Sequence, residues 1–498
     1  MSGEQLQCEY YPFIVVGGGI AGVTCAETLS LLCPEEKILL ISASPLIKAV
    51  SNLRQYGRTL QQFDVVEKPL SVLQLDCPNI HVLNTAVKEM DHEEHKLLTV
   101  DEKWYRYGKL CICTGGKPKV LMEGNKHVLG IRDTESVQEF QERLSSARRV
   151  VIVGNGGIAT ELVYQIKNCE VVWAIKDASI TKTFVDAGAA EFFLSSLSSP
   201  AEMKDESVSK RMKYTLEKPM ISRLTPDLLG GALGPDWTEG REMQGQYGEG
   251  RSIHVEYKVE VSRLLSQEEM KSSGKQAKKS PKNDETGLSG EASWPIYVEL
   301  TNGHIYGCDF VVSATGVIPN VYPLNKNKQF VIASDGGLSV NDHMMTSLQD
   351  VYAAGDVCSA SWEPAPHWLQ MRLWSQARQM GAYAAKCMEA HAKEEEIHMD
   401  FCFELFTHVT KFFNYKVILL GRFNAQGLGD DYELLLRVTK GHEYVKTVMK
   451  DGRMQGAILI GETDLEETFE NLILNQMDLS QYGEDLLSPD IDIEDYFD

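Results

Sequence analysis

One short pattern occurs twice in this chain, and it constrains the fold more than any other feature. At Phe13–Val16 a short apolar strand runs into the string GGGIAG; Val23–Leu32 then has helical spacing, and Lys37–Ile41 reads as the next buried strand. At Val150 the same order returns, with strand VVIV, loop GNGGIA, a helix near Thr160–Lys167 and strand EVVWAI. The loops begin at Gly17 and Gly154, roughly 137 residues apart, which is a domain-scale repeat. Glycines spaced G-x-G-x-x-G between strand and helix allow a tight turn and close approach of backbone to a pyrophosphate on the positive helix end. Gly17, Gly19 and Gly22, with Ile20 and Ala21 between them, meet that spacing. Gly154, Gly156 and Ala159 meet it again, alanine being allowed at the third place. The βα alternation predicts an α/β chain holding two Rossmann-like dinucleotide folds.

Composition narrows the setting. The 498 residues are 43% hydrophobic and 24% charged, ordinary globular material with room for about three domains. No apolar run reaches the roughly 18–20 residues of a membrane helix, and the polar start MSGEQLQCEYYP lacks a signal peptide's apolar core. A net charge of −22 argues against a nucleic-acid surface. Eleven scattered cysteines fit a reducing compartment, so a cytoplasmic location, with the nucleus also open, is the expectation. There is no CxxC and no zinc-like spacing, so no metal is expected.

Two positions depart from the simplest dinucleotide pattern. The acid expected at the end of the second strand, to hold a ribose, is replaced by Ser42, whose neutral hydroxyl makes a weaker hydrogen bond. In the second unit Lys176 is followed by Asp177; the lysine favours a 2′-phosphate and the aspartate a free 2′-hydroxyl. The two signals oppose each other.

Three further strings join the glycine loops in the same order as in a known family. CICTGGKP (Cys111–Pro118) contains Thr114 and Gly115, SATGVIPN (Ser313–Asn320) contains Gly316, and VYAAGDV (Val351–Val357) contains Gly355 and Asp356. Over about residues 12–195 and 251–390 the chain resembles the two-dinucleotide flavoproteins of the pyridine nucleotide-disulfide oxidoreductase family. The resemblance implies a glutathione-reductase-like architecture with FAD in the first fold and NAD(P)H, as hydride donor, in the second. It divides the chain into an FAD-binding part (1–120), an NAD(P)-binding domain (121–320) with inserts near 198–250 and 266–290, a second FAD-binding part (321–395) and a C-terminal α+β domain (396–498) with an acidic tail.

The same resemblance assigns roles. Asp356 would bond the ribityl–phosphate of FAD, and the main chain at Val87 would meet the adenine. Lys48, in Pro45-Leu-Ile-Lys48, stands where relatives lacking the disulfide carry a lysine beside the flavin N5, and Glu161 stands where its carboxylate partner lies. Trp374 matches a tryptophan packed near the flavin, whereas the glutamine of the usual AxxQG is Met380 here. His367 is close enough in sequence to Asp356 to reach the flavin pocket.

No paired cysteines occur where dithiol members carry them, and Cys111 and Cys113 sit on one face of a buried strand, as packing residues do. Flavin is therefore expected to pass electrons directly to an unidentified acceptor, with a role in redox homeostasis. The alternative is a flavin- and nucleotide-gated interaction protein with little turnover. A protein partner could dock through the C-terminal domain or through the tail, whose last ten residues (489–498) interleave acids with Ile491, Ile493, Tyr496 and Phe497. Ser266–Gly290, rich in Lys, Ser and Gly, is read as a mobile surface loop between two strand candidates, Ile253–Leu265 and Trp294–Leu300, and the C-terminal domain shows short β-like runs at Lys416–Leu420, Tyr432–Val438 and Met454–Ile460.

Overall fold

The computed structural model describes residues 8–131, 133–198, 237–238, 241–246, 250–278 and 293–488. The first glycine loop joins the strand Glu9–Val16 to the helix Ile20–Leu32. That strand lies inside a sheet ordered Ile80–Asn84, Ile38–Ser42, Glu9–Val16, Trp104–Ile112, Lys96–Thr99, Val87–Asp91. The first four strands pair in parallel, and Val351–Ala353 returns to pair in parallel with Trp104–Ile112. Parallel strands are covered on both faces, so they read as unbroken apolar runs; all five residues of Ile38–Ser42 are buried.

The second loop joins Arg149–Val153 to the helix Gly157–Gln165 in an all-parallel sheet ordered Val128–Gly130, Phe310–Ser313, Arg149–Val153, Cys169–Ala174, Arg251–Glu256. A three-stranded antiparallel sheet (Val261–Leu265, Ile296–Leu300, Ile305–Cys308) is attached to it. The C-terminal domain is a five-stranded antiparallel sheet ordered Thr407–Phe412, Tyr415–Gly421, Arg453–Ile460, Glu443–Lys450, Glu433–Thr439, with the helix Glu466–Asn475 packed on it. The expected α/β class, two dinucleotide folds and a C-terminal α+β domain, is the observed one.

Apolar and charged contacts join these parts. Phe193, on the helix Ala187–Ser198, meets Phe413 of the C-terminal domain at a ring separation of 4.8 Å. Beside it the buried Lys446 pairs with Asp186. Glu470, also buried, accepts from the backbone of Arg58 (2.9 Å) and Thr59 (2.6 Å) and from the Thr59 hydroxyl (2.6 Å). The C-terminal domain thus grips the tip of the hairpin Leu46–Gln55/Gln61–Pro69, which carries Lys48.

Two readings of the sequence need correction. The single strand expected over Ile253–Leu265 is two, Arg251–Glu256 and Val261–Leu265, which lie in different sheets. The loop expected over Ser266–Gly290 begins with a helix, Gln267–Ser273. Ser266 caps it, with the Glu269 carboxylate accepting from the Ser266 N–H at 2.7 Å, and Met270 is buried beside Trp294 and Tyr297. The physical reason is a complete S-x-x-E capping box, which outweighs the polar composition around it. Residues 279–290 of that stretch, and the tail 489–498, lie outside the described residues.

Candidate functional site

The two glycine loops repeat each other in detail. Gly17 has φ +126° and Gly154 φ +129°; a Cβ at the first would overlap the carbonyl oxygen of Cys113, and at the second that of Ala314. In both loops the obstruction is the backbone of the crossover that follows a neighbouring strand, so no L side chain fits. A Cβ at Gly22 would likewise overlap the Gly17 carbonyl, while Ala159, its counterpart, is accommodated and buried. Gly19 and Gly156 are different. Nothing lies within 4 Å of a Cβ at either, and each is the N-cap of its helix with no side-chain cap and no acid in the first turn. Both helix N-termini therefore offer uncapped N–H groups to open space, the arrangement that binds phosphate.

A pocket at the first loop gathers Gly17, Gly19, Ser42, Val87, Thr114 and Gly115, all six of which the sequence singled out. The Ser42 hydroxyl donates to the Ser44 carbonyl at 2.8 Å. The Thr114 hydroxyl donates to the Asn320 carbonyl at 2.7 Å, and the Asn320 N–H to the Gly115 carbonyl at 2.9 Å, which ties the two crossovers together. Gly316 (φ +110°) lies in the second crossover, outside the lining of this pocket. Gly355 (φ +80°) packs on Ala21 of the first helix, beside Ile20 and its cluster. Asp356 follows; desolvation raises its carboxyl above the usual aspartate value, against the pull of Arg372. No protein donor reaches that carboxylate among the described residues.

Lys48 is buried, and its partner is not the expected one. Antiparallel register sets it directly opposite Glu67, whose carboxylate it meets, and its ammonium also reaches the Thr134 hydroxyl at 3.3 Å. Thr134, in turn, donates to Glu67. Because Thr134 begins the helix Thr134–Leu144, this triad joins the flavin-side hairpin to the nucleotide-side domain. Glu161 makes a separate contact: the Trp237 indole donates to its carboxylate, and burial pushes that acid up to about 8. The pairing of Lys48 with Glu161 is therefore corrected to Lys48 with Glu67. A cross-strand neighbour is closer than a carboxylate on another domain.

Trp374 begins the helix Trp374–Ala392 and packs with Ile20, Phe63 and Val65, its ring 4.9 Å from His408. His408 was not legible as a site residue. It is buried, burial pushes it down to about 3, its Nδ1 lies 3.0 Å from the Ser375 hydroxyl, and its Nε2 has no partner. Met380 is buried in the core. His367 turns away from Asp356 and toward the C-terminal domain, with Nε2 3.1 Å from Gln455. Cys111 and Cys113 are free thiols 3.5 Å apart, and both are held well above the ordinary thiol range: Cys113 by its bond to Cys111 and by burial, Cys111, against the lowering pull of its bond to Cys113, by Cys25 and burial. In the second loop Asn155 donates to the Asp177 carboxylate at 2.9 Å, while Lys176 is exposed. No group of three His, Cys, Asp or Glu among the described residues could hold a metal ion. No helix among them is long and apolar enough to cross a membrane.

Two phosphate-binding loops on parallel sheets, joined by paired crossovers and flanked by a buried lysine, define a two-dinucleotide flavin oxidoreductase. The chain belongs to the pyridine nucleotide-disulphide oxidoreductase family, whose model matches residues 11–218 and 265–381. Residues 408–477 match the C-terminal domain of rubredoxin NAD+ reductase. The chain is 58% identical, over 98% of both chains, to the mouse protein named pyridine nucleotide-disulfide oxidoreductase domain-containing protein 1. Its fold is similar to that of the water-forming NADH oxidase from Lactobacillus brevis bound to NADH (TM-score 0.63, 14% identity, 97% of this chain and 93% of that one). It is also similar to the putidaredoxin reductase–putidaredoxin complex (TM-score 0.61, 14% identity, 94% of each chain). The cradles at Gly19 and Gly156, and the carboxylate of Asp356 with no protein donor, fit the dinucleotides this family uses.

Proposed function

We propose that this protein is an FAD-dependent oxidoreductase that takes hydride from NAD(P)H and delivers electrons to its acceptor without a dithiol relay. The observation that carries this reading is the duplicated cradle, one open helix end for each dinucleotide, with Lys48 held at the junction between them. Gly17, Gly19 and Gly22 would bind the FAD pyrophosphate, Ser42 and Asp356 its ribose and ribityl portions, and Gly154, Gly156 and Ala159 the NAD(P)H pyrophosphate. FAD bound there would supply the hydride-accepting ring. Lys48, oriented by Glu67 and Thr134, would favour negative charge developing beside it. Trp374 would stand near the flavin, packed on Ile20, Phe63 and Val65. Cys111 and Cys113 stay protonated in the core and take no part, since the thiolate is the reactive form of a relay cysteine.

The acceptor is proposed to be oxygen, a quinone or a protein, and the cellular role redox homeostasis. A second reading, a gated interaction protein, has one observation in its favour. The edge strand Glu433–Thr439 exposes Leu434, Leu436 and Val438 on one face. Rapid mixing with NADH or NADPH, followed by reoxidation with each acceptor class, separates the two. Fast reduction and fast reoxidation by one acceptor is expected; fast reduction with no fast acceptor would favour the interaction reading.

A further inference from the structure

The segment between the helix Ala187–Ser198 and the strand Arg251–Glu256 was read from sequence only as an insert. Its described part is firmly seated. The Lys167 N–H donates to the Met243 carbonyl at 2.9 Å, the Gly245 N–H to the Lys167 carbonyl at 2.9 Å, and the Gln141 side chain to the Glu242 carbonyl at 3.0 Å. Met243 and Trp237 are buried in the core that joins the nucleotide and C-terminal domains. From this seat one side chain bonds to Glu161 and another acts electrostatically on Glu67. Trp237 donates its indole N–H to Glu161. Arg241, half-buried and bonded to Gln141 at 3.3 Å, has Glu67, the partner of Lys48, as its charged neighbour.

Taking the proposed hydride-transfer reading as its basis, we infer that Trp237 is a positioning residue for Glu161, its indole fixing one carboxylate oxygen so that the other faces the nicotinamide. Three features carry the argument. Glu161 lies on the helix that opens at Gly156, about one turn beyond the cradle, so a dinucleotide whose pyrophosphate sat on that helix end would lie within a turn of it. An indole has one donor and no acceptor, so the bond has a single sense and fixes which oxygen is engaged. The charged or titratable groups on the elements packed against this helix do not replace it: Arg149 pairs with Glu170, His408 is held neutral by burial, Lys411 is exposed, and Arg241 bonds to Gln141. Burial and the indole are the two influences on Glu161, one raising it and the other lowering it.

The sign of the consequence follows. A donor to the carboxylate favours the anion, so removing it raises the acid further. Trp237→Phe keeps most of the ring's packing and loses the N–H. In the holoenzyme, the pH profile of flavin reduction by NAD(P)H should inflect near 8. In Trp237→Phe the inflection should move upward by about one on the pH scale, the worth of one hydrogen bond to a charged group. A purely structural tryptophan would lower the rate without moving the inflection, and that result overturns the inference.

A second readout does not need turnover. Among the seven indole N–H resonances of the nitrogen-15-labelled protein, the one absent from Trp237→Phe should shift with a midpoint near 8 and stand still in Glu161→Gln. An indole resonance that ignores pH between 6 and 10 (roughly the span over which such an acid titrates) overturns the inference, even where Trp237→Phe fails to fold, because Glu161→Gln then assigns the responding peak. Wild-type flavin that NAD(P)H does not reduce would sink the proposed function instead, leaving the indole titration to decide this point alone.

Discussion

Gly17 and Gly154 hold equivalent conformations at equivalent places, where any side chain would be strained, which makes them the residues through which the two cofactor sites can be separated. Both have φ near the left-handed limit and both would overlap a crossover carbonyl if given a Cβ. Strain of this kind is worth about 1–3 kcal/mol, so a loss of affinity of about fivefold or more is expected at whichever site is struck. Gly17→Ala should be purified with little bound FAD, seen as lost flavin absorbance. Gly154→Ala should keep its flavin and need at least about fivefold more NAD(P)H for the same reduction rate. Equal behaviour of the two variants would contradict the assignment of one loop to each dinucleotide. These positions were legible in the sequence because the requirement is local: the glycine, its strand and its helix are all within about fifteen residues. The partner of Lys48 was not, since a cross-strand neighbour depends on hairpin register, and register is set by packing across the whole strand pair.

The hairpin Leu46–Gln55/Gln61–Pro69 is the element through which the C-terminal domain touches the candidate site. Lys48 and Glu67 face each other near one end, and Glu470 holds the other end through Arg58, Thr59 and Leu60. A buried carboxylate bonded to three backbone N–H groups and a hydroxyl is a strong fixing point, because its loss strands those donors away from water. Glu470→Ala should lower the first unfolding transition in urea by about 3 kcal/mol, and Glu470→Gln, which keeps an acceptor oxygen, should recover about half of that. No change in Glu470→Ala would mean that the hairpin tip stands without it. Nothing in the sequence pointed to this contact, whose two ends are 411 residues apart. The helix Gln267–Ser273 shows the opposite case. Its signal, Ser266 followed by Glu269, lay in plain sight, and the surrounding Lys and Ser composition masked it.

At the scale of the molecule, three bodies pack together: the first carries one cradle and the hairpin lysine, the second the other cradle and Glu161, and the C-terminal domain His408 and the grip of Glu470. Fold class was legible because the repeated loop points to two dinucleotide folds, and the short β-like runs after residue 400 point to an α+β third domain. The strands Thr407–Phe412 and Glu443–Lys450 were missed as strands, and so was His408, which sits on the first of them. What binds the account together is that electrons enter at NAD(P)H and rest on flavin alone. Its most direct test is an anaerobic titration of the FAD-loaded protein with NADH or NADPH, followed by flavin absorbance and by counting reactive thiols. A single equivalent of NAD(P)H per flavin should complete the bleaching with no change in thiol count. Uptake of two equivalents with two new thiols would show a redox disulfide and contradict the account.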